Sequence, residues 1–252
     1  MKQQNTKSLQ QDQVAFYKSN GYLLTDKPLF SEQEFQKLHG IFLELLNRKG
    51  NKRGDELDVP HFEDKRLFDF LLSDAVLDIV EDLIGPNIGL WSSHFIVKEP
   101  RTGKRTPWHE DSAYWEGRFD RYDDIVTLWL AMEPSTRENG CMGVIPGTHR
   151  DGFSDYEQID TSHEIFKTEI SGEKIDESKA VWFELQPNHY SLHDSRIIHG
   201  ANENGSDTRR TGYTMRYFNT DLSMVQDHPG NAAHQVFHCR GENRGNNPLI
   251  FL

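Results

Sequence analysis

His109, Glu110 and Asp111 stand together in the stretch "TPWHEDSAYWEG", residues 106–117. An imidazole and a carboxylate one residue apart are donors that suit a divalent metal, and in an extended chain residues i and i+2 project to the same side. His109 and Asp111 are therefore expected to aim together, with Glu110 turned away. The same trio also fits three polar residues at a surface turn. A metal with open coordination positions commonly takes a third donor, a second histidine, on the same face. The only cysteines, Cys141 and Cys239, are too few for a thiolate site or a disulfide framework, so a metal here rests on histidine and carboxylate.

The candidate third donor lies in "SLHDSRIIHGANENGSDTRRTGYTMRYF", residues 191–218. His199 follows Ile197 and Ile198 and precedes Gly200, and is expected at a strand end where a turn begins. His193, at the other end of the segment, is its rival. The chain has 12 histidines, so any one of them also fits a solvated loop or a satisfied core group. Arg209 and Arg210 follow, leading into an alternating strand. A guanidinium near a metal can clamp a carboxylate through two parallel hydrogen bonds, which suits a dicarboxylate that chelates the metal at its other end. Without the histidine, the two arginines read as a surface charge pair.

The elements that must position these residues come in two kinds. The first third reads helical. "DQVAFYKSNGYLL" carries Val14, Phe16 and Tyr17, with Gly21 as the stop. Ser31 and Glu34 have the form of a capping box and open a helix whose stripe is Phe35, Leu38, Ile41, Phe42 and Leu45. "NRKGNKRGDEL" reads as a polar loop, and "AVLDIVEDLIGP" as a short helix ended by Gly85 and Pro86. From residue 88 the runs "IGLWSSHFIVKEP", "DIVTLWLAME", "MGVIP", "AVWFEL" and "TGYTMRYFNT" read as short strands between turns. No repeat, low-complexity tract or linker interrupts the chain. The expectation is one domain over residues 1–252, mainly β with a helical layer. Residues 1–87 would be mainly helical, 88–220 a β core of jelly-roll or other sandwich type, and 221–252 a C-terminal extension. That extension would either lie exposed or close the pocket with polar contacts.

Bulk composition narrows the function classes. A net charge of -12 argues against a general nucleic-acid binder, while leaving room for a local basic pocket that takes an anionic small molecule. The mean hydropathy of -0.73 and the lack of a long apolar run exclude a membrane span. "MKQQNTKSLQQDQ" lacks the apolar centre of a signal peptide, and "PLIFL" matches no peroxisomal or reticulum-retention address. With so few cysteines, the expected setting is reducing and cytoplasmic.

Three segments together resemble the phytanoyl-CoA dioxygenase family of iron(II)- and 2-oxoglutarate-dependent oxygenases. They are "WHEDSAYW", "IVTLWLAMEPSTRENGCMGVIPGTHR" and "IIHGANENGSDTRR", and the likeness runs over roughly residues 88–218, with a weaker echo in "VAFYKSNGYLL". The resemblance implies a double-stranded β-helix wrapped by helices. It implies His109, Asp111 and His199 as iron ligands and catalytic centre. It implies Arg210, eleven residues past the second histidine, as the 2-oxoglutarate clamp, with Arg209 in reserve. Thr127 and Trp129 fall on the strand that lines the co-substrate pocket in relatives, although Trp129 also fits plain core packing. Two departures are visible: Glu110 stands where relatives often carry glutamine, and Ala201 removes a serine hydroxyl. Asp111 is present, where halogenases of this class carry a small residue, so hydroxylation is favoured.

The implied reaction uses O2 and 2-oxoglutarate, releases succinate and CO2, and hydroxylates an unactivated C–H bond of a small molecule. The polar tail leans towards a polar substrate. Tyr114, Trp115 and Arg118, just past the ligands, are the candidate substrate contacts, though aromatic loop residues also serve simply as packing. Two competing classes are a non-catalytic β-roll binding protein and a zinc-dependent cupin-like hydrolase or isomerase. Neither needs an arginine clamp for a dicarboxylate.

Overall fold

The N-terminal helices follow their sequence signals. The computed structural model describes residues 8–49, 57–160, 164–172 and 175–252. Helix α1, Gln11–Asn20, stops at Gly21, whose φ of 80° is the left-handed conformation that glycine adopts at least cost. Helix α2, Glu32–Arg48, opens with the reciprocal Ser31–Glu34 capping box and buries the expected stripe, Phe35, Leu38, Ile41, Phe42 and Leu45. Two shorter helices follow, α3 (Phe68–Leu71) and α4 (Asp74–Ile84), the latter ended at Gly85. Asn47 and Arg48 of the expected polar loop complete α2, and residues 50–56 lie outside the described residues.

Fourteen strands are present among the described residues. In chain order they are β1 (Tyr22–Pro28), β2 (Leu57–Asp58), β3 (Ile88–Lys98), β4 (Thr106–His109), β5 (Ile125–Ala131), β6 (Met142–Val144) and β7 (Tyr156–Gln158). Then come β8 (Thr168–Ile170), β9 (Val181–Trp182), β10 (His189–Asp194), β11 (His199–Ala201), β12 (Arg210–Asn219), β13 (Val236–Arg240) and β14 (Leu249–Ile250). The larger sheet has the order β1-β10-β5-β12-β3-β13-β14, with β2 also on β3, and the smaller has β4-β11-β6-β9. The two sheets enclose one cavity, in the open jelly-roll arrangement expected.

Alternation sorts the large sheet into two faces. Val126, Leu128 and Leu130 of β5 and Tyr213, Met215 and Tyr217 of β12 pack in one buried cluster with Phe42 of α2 and Val80 of α4. Their alternate neighbours therefore face the other way. Thr127 and Trp129 of β5, and Gly212, Thr214 and Arg216 of β12, look towards the small sheet. The helices thus seal one face of the sheet and leave the other for chemistry.

Two segments depart from expectation. The part expected to be mainly helical contributes β1, whose Tyr22 pairs with His193 and Leu24 with Ser191 at one edge of the large sheet. "YLL" directly follows the helix stop and is too short to show a period of its own. The tail, expected as a C-terminal extension, adds β13 beside β3 and then β14. The apolar start of β13 is only the pair Val236 and Phe237, both buried, set in polar sequence that hides them. Arg240 ties this tail to α4 through Asp78 and Glu81, each at 2.7 Å.

Candidate metal centre

His109 is the last residue of β4 and His199 the first of β11, and the two are direct partners in the antiparallel ladder. The turn therefore precedes His199; it does not follow it as the sequence suggested. Their ring centroids lie 4.1 Å apart. Asp111 sits two residues beyond the strand, at the start of a 3₁₀ turn over Asp111–Trp115, with Ser112 N–H donating to the Ser195 carbonyl at 2.8 Å. Ligand atoms of His109, Asp111 and His199 lie within 4.8 Å of one another, and all three residues are buried. Glu110 turns away, as alternation demands. Its carboxylate accepts from the Ser154 hydroxyl at 2.7 Å and the Tyr156 hydroxyl at 3.1 Å, which ties it to the start of β7.

The donor set fits a divalent metal at the level of protons. His109 Nδ1 lies 2.7 Å from the Pro107 carbonyl, and His199 Nδ1 lies 3.0 Å from the Ile197 carbonyl. A carbonyl only accepts, so both protons sit on Nδ1 and both Nε2 lone pairs point inward. Burial lowers both imidazoles below the ordinary histidine value, His199 strongly, and keeps them neutral against the pull of Asp111. Burial pushes the Asp111 carboxyl up, but Arg216 first, with His193 and His199, outweighs it and holds it well below the ordinary carboxylate range. Asp111 Oδ1 is 4.0 Å from each Nε2. Two neutral imidazoles and one carboxylate on one face are the donor set of non-haem iron(II) oxygenases.

His193, the rival, is outside this trio. Its Nε2 stands 3.8 Å from Asp111 Oδ2, its ring lies 4.9 Å from that of His199, and neither ring nitrogen has a hydrogen-bond partner among the described residues.

A cavity of about 310 Å³ opens beside the trio, lined among others by His94, Trp129, Phe166, Ala201, Arg210 and Arg216. Arg210 is buried. Its Nη2 and Nε donate to the Gly140 carbonyl at 2.7 and 3.1 Å, and its guanidinium carbon lies 5.6 Å from the centre of the Trp129 ring. It forms no ion pair among the described residues, and burial pushes its pKa down to about 10, which leaves it a cation at neutral pH. Arg209, on the opposite face, pairs with Glu133, its Nε 3.0 Å from the carboxylate, and lies over Phe42 of α2. The adjacent arginines therefore divide as alternation requires, one towards the helices and one towards the cavity.

The remaining candidates separate. Trp129 lines the cavity, whereas Thr127 stands behind Asp111 and donates its hydroxyl to Oδ2 at 3.3 Å. Tyr114 is half exposed, its ring 5.6 Å from that of His109 and 5.0 Å from that of Phe166, which lines the cavity. Trp115 packs against Trp91, with the Arg216 guanidinium 5.7 Å from its ring. Arg118 is turned to the tail. It stacks on Trp91 at 4.4 Å and donates to Asn231 Oδ1 at 2.7 Å, so it fastens the segment after the ligands instead of facing the cavity. Sequence reasoning passed over Arg216, Thr214, His94 and Phe166. The first two share the face of Arg210 by alternation along β12, the signal by which they could have been found.

The protein comparisons agree with this site. The family model described as phytanoyl-CoA dioxygenase (PhyH) matches residues 17–212. A Caenorhabditis elegans protein named probable phytanoyl-CoA dioxygenase is 29% identical, over 85% of this chain and 77% of its own. The human peroxisomal phytanoyl-CoA dioxygenase is 27% identical, over 85% of this chain and 70% of its own. Among solved structures, EctD from S. alaskensis with 2-oxoglutarate and 5-hydroxyectoine superposes with a TM-score of 0.75 at 18% identity, covering 97% of this chain and 90% of its own. EvdO2 from Micromonospora carbonacea with 2-oxoglutarate gives 0.70 at 23%, covering 87% and 94%. Fold and site define an iron(II)- and 2-oxoglutarate-dependent dioxygenase. The chain belongs to the phytanoyl-CoA dioxygenase family. No helix among the described residues is long and apolar enough to cross a membrane.

Proposed function

We propose that His109, Asp111 and His199 hold the iron, that Arg210 holds the far carboxylate of 2-oxoglutarate, and that the substrate is a small polar molecule. The observation that carries this reading is Arg210, a buried cation with no anionic partner among the described residues, in the wall of the cavity that the three donors share. A charge taken out of water costs several kcal/mol unless paired, so such a site is built for an anion that arrives with the ligand. The Trp129 ring beside it keeps that carboxylate out of bulk water.

Bound together, iron(II) and 2-oxoglutarate supply oxygen-dependent decarboxylation to succinate and CO2, coupled to insertion of one oxygen atom into a C–H bond. The protein's part is orientation and exclusion of water. Nδ1 protons on both histidines keep their Nε2 lone pairs directed inward. Phe166 in the cavity wall, with Tyr114 packed against it, shields the reacting end of the substrate. The cavity volume lies at the low end for small-molecule sites, and 2-oxoglutarate takes part of it, so the portion of substrate that enters is small. Both cysteines are free thiols, in keeping with the cytoplasm, which cell fractionation tests.

The test is a screen of small polar metabolites with added iron(II) and 2-oxoglutarate. A mass gain of one oxygen, matched by oxygen-dependent succinate, is the expected result. Turnover confined to acyl-CoA thioesters would overturn the substrate class.

A further inference from the structure

Asp111 has to do something that its chemistry does not guarantee. A carboxylate can ligate a metal through one oxygen or through two. Three protein donors on one face leave three positions, of which 2-oxoglutarate needs two and oxygen one. A second oxygen from Asp111 would take a position the reaction requires.

We propose that Arg216 and Thr127, flanked by His193, form a positioning row that holds Asp111 as a one-oxygen ligand, with Arg216 the principal member. This rests on the reading of His109, Asp111 and His199 as the metal centre. The three residues are cross-strand neighbours on one face of the large sheet: Arg216 pairs with Thr127 in the β12–β5 ladder, and Thr127 pairs with His193 in the β5–β10 ladder. All three converge on the same atom. Arg216 Nε is 3.1 Å from Asp111 Oδ2, Thr127 Oγ1 is 3.3 Å from it and His193 Nε2 is 3.8 Å from it. Oδ1 is the atom turned towards both imidazole Nε2 nitrogens, and its contact with Arg216 Nη2 is longer, at 3.4 Å.

The row is itself fixed. Arg216 Nη1 donates to Thr214 Oγ1 at 3.0 Å, two residues back on the same strand, and the guanidinium packs beside Trp115. Asp111 is the partner in the one ion pair Arg216 makes among the described residues. A charge-assisted bond in a buried setting is directional, so the carboxylate cannot rotate Oδ2 towards the metal without giving up its strongest contact. Outer partners of metal ligands commonly act in this way.

Three readouts test the proposal without relying on turnover. Calorimetric titration with Mn(II) should show affinity lowered about 10–100-fold in Arg216→Ala, within a few-fold of wild type in Arg216→Lys, and lowered a few-fold in Thr127→Val. Circular dichroism checks that each variant is folded, and the wild-type readout below stands should Arg216→Ala fail to fold. Under anaerobic conditions the visible absorbance of the iron(II)–2-oxoglutarate chelate should need more 2-oxoglutarate in Arg216→Ala than in wild type. A crystal structure of the Mn(II)-loaded wild type should place one Asp111 oxygen on the metal and the other on Arg216. Unchanged or tighter Mn(II) binding in a folded Arg216→Ala protein overturns the proposal, as do two Asp111 oxygens on the metal, and either leaves the metal centre standing. A wild type that takes up no Mn(II) or iron(II) removes the metal centre and this proposal with it.

Discussion

Where protons and charges sit on single residues decides whether His109, Asp111 and His199 can hold a metal. The two backbone carbonyls that fix the histidine tautomers lie two residues before each ring, at Pro107 and Ile197, so each ring is oriented by the chain just before it. His109→Ala or His199→Ala should abolish iron binding while the circular dichroism spectrum stays that of wild type, since the ladders around each residue are backbone-made. Asp111→Ala should likewise lose the metal, and the wild type should give hydroxylated product with or without chloride; mass spectrometry for a chlorinated product checks this. The three ligand candidates were legible in sequence because strand spacing and metal chemistry constrain each other. The choice of His199 over His193 was not legible from residue type alone, since both are buried histidines of one segment. What separates them is register: His199 faces His109 in the small sheet, whereas His193 lies in the large sheet beside Thr127. Arg216 was hidden for a related reason, since its partner Asp111 is 105 residues away.

Among the elements, β12 and β5 build one wall of the cavity as a unit. Gly212 pairs beside Trp129, and a Cβ at position 212 would stand 2.0 Å from the indole. The small residue on β12 is thus what allows the large one on β5 to lie flat next to Arg210. Gly212→Ala should displace the indole, destabilise the protein by about 1–3 kcal/mol as an overpacked core substitution, and raise the 2-oxoglutarate requirement. Denaturant melts and ligand titration on the same sample check both effects. Trp129 was read in sequence as either pocket wall or core, and in the fold it is both. The long strands were legible because five or more residues of alternating or apolar pattern leave a signal. β1 and β13 were not. One is an apolar triplet directly after a helix, the other an apolar pair in a polar tail, and each is recruited to a sheet edge by tertiary pairing.

At the scale of the whole molecule, buried histidines set the response to acid. His61 is fully buried among Phe62, Phe68 and Phe237, its Nδ1 2.7 Å from the Ser93 hydroxyl, and burial lowers its pKa to about 3. In the unfolded chain it titrates near 6.5. Between those values the unfolded state binds the extra proton, so the stability due to neutral His61 is complete above about pH 6.5 and declines as the pH falls. The decline is about 1.4 kcal/mol per pH unit for one such group. Melting temperatures of the metal-free protein should therefore drop steadily from pH 7 to pH 5, and His61→Phe should flatten that slope.

In the proposed function one cavity joins a two-histidine, one-carboxylate iron site to a carboxylate-binding arginine. Anaerobic titration of 2-oxoglutarate into the iron(II)-loaded protein, followed by the visible charge-transfer absorbance of the chelate, tests both parts at once. The account predicts a saturable band in wild type and none in His109→Ala. It predicts a band displaced to higher 2-oxoglutarate in Arg210→Ala, because an unpaired carboxylate in a buried site costs about 2–5 kcal/mol, or roughly thirtyfold to several thousandfold. Arg209→Ala should bind nearly as wild type does, since its guanidinium is engaged by Glu133 on the other face. An iron-loaded wild type that develops no band, or an Arg210→Ala protein that titrates like wild type, would contradict it.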